Sequence, residues 1–112
     1  MEKKYCPFCD INREKTFILE DNSRAYVSLS NPRLVKGHLL VIPKRHIENI
    51  SELFEEEWKS IIDLILKYQK KIVGELASGC DVRQNYAPYI PQSRFKVDHV
   101  HFHLLPRNLN DD

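Results

Sequence analysis

The segment His99-Val100-His101-Phe102-His103-Leu104-Leu105 alternates imidazole and apolar side chains one residue at a time. Side chains two apart share a face of a strand, so the pattern specifies a strand with Val100, Phe102 and Leu104 against a core and three imidazoles on the opposite side. That strand is expected over Val97 to Leu105, ended by Pro106. All five histidines of the chain fall in two places: this segment, and His38 and His46 in Gly37-His38-Leu39-Leu40-Val41-Ile42-Pro43-Lys44-Arg45-His46. A solvated strand face has no need of imidazole where Lys, Thr or Glu would serve. Two chemistries do want histidines so grouped: a metal centre, which takes neutral imidazoles, and covalent catalysis, in which one ring nitrogen attacks an electrophile while its neighbours donate hydrogen bonds.

The rest of the chain reads as a scaffold for that strand. Residues 16 to 20 and 24 to 29 are short β-favouring runs separated by the turn formers Asp21-Asn22-Ser23. A loop from Asn31 to Lys36 ends at Gly37 and delivers the chain into a buried strand opened by His38 and stopped by Pro43. Between Asn49 and Leu76, Phe54, Trp58, Ile61, Ile65, Tyr68, Ile72 and Leu76 recur every three or four residues, the stripe of one long amphipathic helix. Glutamates 52, 55, 56 and 57 near its start and lysines 67, 70 and 71 towards its end suit the helix macrodipole, and Gly79 is placed to stop it. Such a stripe is explained by packing alone. A further strand is expected within Asp81 to Tyr86, and a proline-containing loop from Pro88 to Arg94.

With 112 residues, the chain is one domain's worth and is expected to form a single domain over 1–112. Seventeen basic against sixteen acidic residues leave a formal charge of +1, so no whole-molecule field draws in nucleic acid or an anionic membrane, and any anion must be held locally. No run approaches the ~20 apolar residues of a membrane span. The N-terminus lacks the apolar core and cleavage site of a signal peptide, which makes a cytoplasmic location the expectation. Of three cysteines, Cys6 and Cys9 form a C-x-x-C pair, suited to two thiolate ligands of a tetrahedral zinc site that then needs two more ligands. Thioredoxin-like redox chemistry is the other use of that spacing, but it belongs at a strand-to-helix junction in a βαβ pattern, and none is evident. Cys80 is a bystander.

His99-Val100-His101-Phe102-His103-Leu104-Leu105 resembles the signature of the histidine triad (HIT) family, Gly37 to His46 is similar to that family's second hallmark segment, and Cys6-Pro7-Phe8-Cys9-Asp10-Ile11 resembles the zinc-binding start of its bacterial and archaeal members. The likeness runs from Cys6 to Arg107. It implies an α+β, HIT-like fold: a five-stranded antiparallel sheet, one long and one short helix, and a homodimer joining two sheets. It also implies nucleotidyl transfer on a purine nucleotide substrate, of dinucleoside polyphosphate or adenosine phosphoramidate type, through a covalent nucleotidyl-histidine. By that resemblance His101 is the nucleophile, His103 and His38 donate hydrogen bonds to phosphoryl oxygens or the leaving group, and Cys6, Cys9, His46 and His99 hold a structural zinc ion. The alternative is a nucleotide-binding module that keeps the pocket for sensing or partner regulation.

The chain also departs from the family pattern. Many relatives carry a Gly-Gln-Ser or Gly-Gln-Thr run shortly before the triad for phosphate contact, whereas here Gln92-Ser93 stands further upstream, followed by Arg94-Phe95-Lys96-Val97-Asp98. Either Gln92 and Ser93 reach phosphate through a longer loop, or Arg94 and Lys96 replace a neutral donor with positive charge, which suits a polyphosphate; both cations also read as solvated loop charges. Where relatives hold ribose with an acidic residue, this chain has Ser28-Leu29-Ser30-Asn31. Asn85 resembles an asparagine that contacts phosphate in relatives.

Overall fold

The computed structural model describes residues 6–9, 11, 16–30, 33–91 and 97–109. The strands β1 (Ile18–Asp21), β2 (Ala25–Leu29), β3 (Leu39–Pro43), β4 (Gly79–Arg83) and β5 (Phe102–Arg107) form one antiparallel sheet in the order β1-β2-β3-β5-β4. Among the described residues one long helix, α1 (Glu55–Glu75), lies between β3 and β4 in the chain, preceded by a 3-10 turn at Ile50–Glu52. This is the α+β architecture, with its five-stranded antiparallel sheet and long helix, that the family resemblance implies.

The β1–β2 turn closes through Asn22, whose side-chain oxygen accepts from the backbone N–H of Arg24 and Ala25. Strand parity then sorts the sheet into two faces. Ala25, Val27, Leu39, Val41, Phe102 and Leu104 pack under α1 against Ile61, Leu64, Ile65 and Ile72. Tyr26, Leu40 and Ile42 point the other way, where Phe8, Ile11 and Ile18 cover them. His38, Leu40 and Ile42 share one parity, as do His101, His103 and Leu105, and β3 and β5 pair with Leu40 opposite His103. The face without the helix therefore carries the imidazoles.

Several boundaries differ from the sequence expectation, each for a local reason. β5 starts at Phe102 rather than Val97, because the Val100 N–H donates to the Ile47 carbonyl, in the loop beyond β3. The inward packing of Val100, Phe102 and Leu104 holds regardless of that shorter ladder. Pro106 does not end the strand: it lies within β5, past the last β3 partner pair Leu39–Leu104, where only β4 flanks it. The helix starts at Glu55 rather than Asn49; Asn49 instead caps the 3-10 turn by accepting from the Ser51 N–H, and Leu53 and Phe54 are extended. Ile61, Ile65 and Ile72 are buried as expected, whereas Phe54 and Leu76, at the ends of the stripe, are exposed. Gly79 opens β4, which runs to Arg83 instead of Asp81 to Tyr86, and the helix ends at Glu75, with the Leu76 and Ala77 N–H groups donating to the Ile72 carbonyl.

Candidate active site and metal centre

A neutral imidazole has one donor and one acceptor nitrogen, so a partner at one nitrogen decides the state of the other. The backbone N–H of Leu34 donates to His38 Nδ1 at 3.1 Å, which leaves the His38 proton on Nε2. That N–H meets His103 Nδ1 at 2.9 Å, so the His103 proton resides on its own Nε2. His101 lies beside His103, ring centroids 4.9 Å apart, with opposite polarity: its Nδ1–H donates to the His99 carbonyl at 2.7 Å and its Nε2 keeps the lone pair. Phe8 packs edge-on against both His99 and His101.

Burial lowers the basicity of all three rings. His103 is pushed down to about 3 by burial and then by His101, His38 and Arg83, and His38 to about 4 by burial and then by Arg83 and His101. Burial also lowers His101, opposed by its bond to the His99 carbonyl. The triad imidazoles are neutral at pH 7.

The same logic aims two other histidines at the cysteines. His99 Nε2–H donates to the Pro43 carbonyl at 2.8 Å and His46 Nε2–H faces the Glu48 carboxylate at 3.2 Å, so each turns an unprotonated Nδ1 inward. These Nδ1 atoms are 3.2 Å apart, and Cys6 and Cys9 Sγ stand 3.3 and 3.5 Å from His99 Nδ1, with Cys9 Sγ 3.4 Å from His46 Nδ1. Donors around a tetrahedral zinc ion stand about 3.3–3.8 Å apart, given Zn–N of about 2.0–2.1 Å and Zn–S of about 2.3 Å. The four ligand atoms, all within 4.8 Å of one another, fit such an ion. With both rings neutral, the two Nδ1 lone pairs would face one another, an arrangement that a metal ion between them would resolve. His99, buried and pushed down to about 4, is in the neutral form that a ligand requires.

A cavity of about 270 Å³ opens over the triad, lined among others by Arg83, Asn85, Tyr86, His99, His101 and His103. Of the candidates from sequence, His101, His103 and Asn85 meet there. His38 sits one hydrogen bond behind His103. Ser28 is buried on the same sheet face opposite Leu40 but does not line the cavity. Gln92, Ser93, Arg94 and Lys96 lie outside the described residues. Sequence reading missed Glu48 and Arg83. Glu48 was detectable as a carboxylate two residues after His46, whereas Arg83 joins the site only through the β4–β5 register, where it stands opposite His103.

Comparison with known proteins places this arrangement among others. Along 72 residues the chain is 42% identical to adenosine 5'-monophosphoramidase hnt1 of Schizosaccharomyces pombe, a match that covers 64% of this chain and 50% of that protein. The crystal structure of a HIT family member from Bacillus subtilis superposes with a TM-score of 0.80 at 30% identity, over 96% of this chain and 76% of that one. A histidine triad nucleotide-binding protein from Candida albicans gives 0.76 at 29% identity, over 93% and 76%. The HIT domain model matches residues 11–110, which hold both histidine segments, and the chain therefore belongs to the HIT family.

Proposed function

We propose that this protein is a nucleotide hydrolase or nucleotidyl transferase acting at the α-phosphorus of nucleoside phosphate derivatives, with His101 as nucleophile. The observation that carries this reading is the opposed polarity of two adjacent rings: a lone pair on His101 Nε2 beside an N–H on His103 Nε2, lining one cavity. In the first step His101 Nε2 attacks phosphorus, an N–P bond forms, and the bond to the leaving group breaks with its electron pair on that group. The His99 carbonyl stabilises the positive charge developing on the ring, and the His103 N–H faces a phosphoryl oxygen. In the second step water attacks phosphorus, loses its proton to solvent, and the N–P bond returns its pair to His101. His38 holds the His103 tautomer. Asn85 is the phosphate contact best supported by position.

Cys6, Cys9, His46 and His99 would hold zinc, which when bound supplies folding free energy by tying the N-terminal segment to the two histidine segments. Adenosine phosphoramidates, the class for which the Schizosaccharomyces pombe relative is named, and dinucleoside polyphosphates are the two candidate substrate classes. A homodimer is supported by Ile62, Leu66 and Val73, exposed along one outer stripe of α1. Rapid quench with a labelled nucleotide should trap an acid-labile, base-stable phosphoramidate on His101. Label on another residue overturns the mechanism, and tight nucleotide binding without turnover of any such substrate favours the sensing module.

A further inference from the structure

Arg83 ends β4 directly opposite His103, on the sheet face that carries the imidazoles. Directly opposed side chains are within about 5.5 Å at Cβ, so the guanidinium reaches the space over the triad, and Arg83 lines the cavity there. No carboxylate among the described residues pairs with it. The carboxylate on the same face of β4, Asp81, is taken at 2.9 Å by Arg107 across the ladder. Of the other carboxylates that line the cavity, Glu48 is hydrogen-bonded to His46 and Asp98 directly precedes His99 in the chain. A cation held over neutral imidazoles gains nothing from them; it gains from an anion placed between. Its field already reaches His38 and His103, helping to lower both.

We propose that Arg83 selects the leaving group: its guanidinium contacts the phosphate that departs from the α-phosphorus, so that nucleoside polyphosphates are preferred over derivatives with an uncharged leaving group. This rests on the hydrolase reading above. When His101 Nε2 bonds to the α-phosphorus, the bridging P–O bond breaks and its pair moves onto the departing phosphate, whose added charge Arg83 offsets with a bidentate, charge-assisted contact. An amine leaving group takes up a proton from solvent instead and draws no such benefit.

The test compares wild type, Arg83→Gln and Arg83→Lys in two measurements. In calorimetric titration wild type should bind ADP more tightly than AMP by about tenfold or more, a preference that collapses in the Gln variant and survives in part in the Lys variant. In turnover, kcat/KM on diadenosine tetraphosphate relative to adenosine 5'-phosphoramidate should fall by about 10- to 100-fold in Arg83→Gln, with partial recovery in Arg83→Lys. A purely structural role would lower both substrates together. Turnover of both substrates with the ratio unchanged in Arg83→Gln overturns the proposal and leaves the hydrolase reading standing. A wild type that shows the Arg83-dependent ADP preference and turns over neither substrate overturns the hydrolase reading, and the leaving-group role with it.

Discussion

On the proposed reading each histidine carries one task, because a hydrogen bond at one ring nitrogen fixes the state of the other. Losing His101 removes the only ring in the triad whose Nε2 lone pair faces the cavity, while the cavity walls stay. His101→Ala should therefore keep nucleotide affinity within a few fold and lose turnover by several powers of ten, read by calorimetry beside steady-state kinetics. His103→Ala removes one donor and should cost about 10²–10³ in rate. A His101 variant that turns over normally would end the nucleophile assignment. Cys9→Ser acts elsewhere: the sulfur that stands 3.4 and 3.5 Å from the two inward Nδ1 atoms goes, so bound metal and Tm should fall together, measured by metal analysis and calorimetry. An equally stable, metal-free wild type would contradict that. Chelation should likewise lower stability rather than act as removal of a catalytic metal.

Between elements, two joints hold these residues in place. Arg45, next to His46, makes a two-pronged ion pair with Glu57 at 2.8 and 3.0 Å, and the Glu57 carboxylate also accepts from the Phe54 N–H, so the loop after β3 is fastened to the start of α1. Glu57 is only 2% exposed, hence losing it leaves a guanidinium and a backbone N–H without their acceptor. Glu57→Ala should lower Tm by roughly 5–10 °C and weaken metal retention through His46, and normal metal affinity would sever the two effects. The second joint is Gly37, at φ +81°, the one positive-φ residue among those described. A Cβ there would also meet the Leu76 side chain. Gly37→Ala should cost about 1–2 kcal/mol and shift the neighbouring His38, seen as weaker nucleotide binding.

For the molecule as a whole, the buried imidazoles set how stability depends on pH. His38 and His103 titrate at about 4 and about 3 when folded, against an ordinary 6.5, so the unfolded chain takes up protons first as pH falls. Their contribution is complete above about pH 6.5 and is lost progressively below it, until the folded values are reached. Urea unfolding should show stability falling from pH 7 to pH 5, before the carboxylates titrate. A flat profile there would mean that the rings are protonated in the fold. His38→Asn should make the slope shallower.

Much of this was legible in the chain because it is written within a few residues. Alternation placed Val100, Phe102 and Leu104 inward, a period of 3.6 marked α1, Gly37 marked its turn, and two short segments with a C-x-x-C pair held every cluster ligand and the triad. Tertiary structure alone decided the rest. The ladder of β5 begins at Phe102 because Ile47, more than fifty residues earlier, takes the Val100 N–H, and Asn49 ends up capping a short turn instead of opening the helix. Arg83 enters the site only by the β4–β5 register, and the ring tautomers depend on the Leu34 N–H and on the Pro43 and His99 carbonyls. Periodicity reports which way a side chain points. Which backbone group it then meets depends on strand register and loop path, and no local pattern of side chains encodes those.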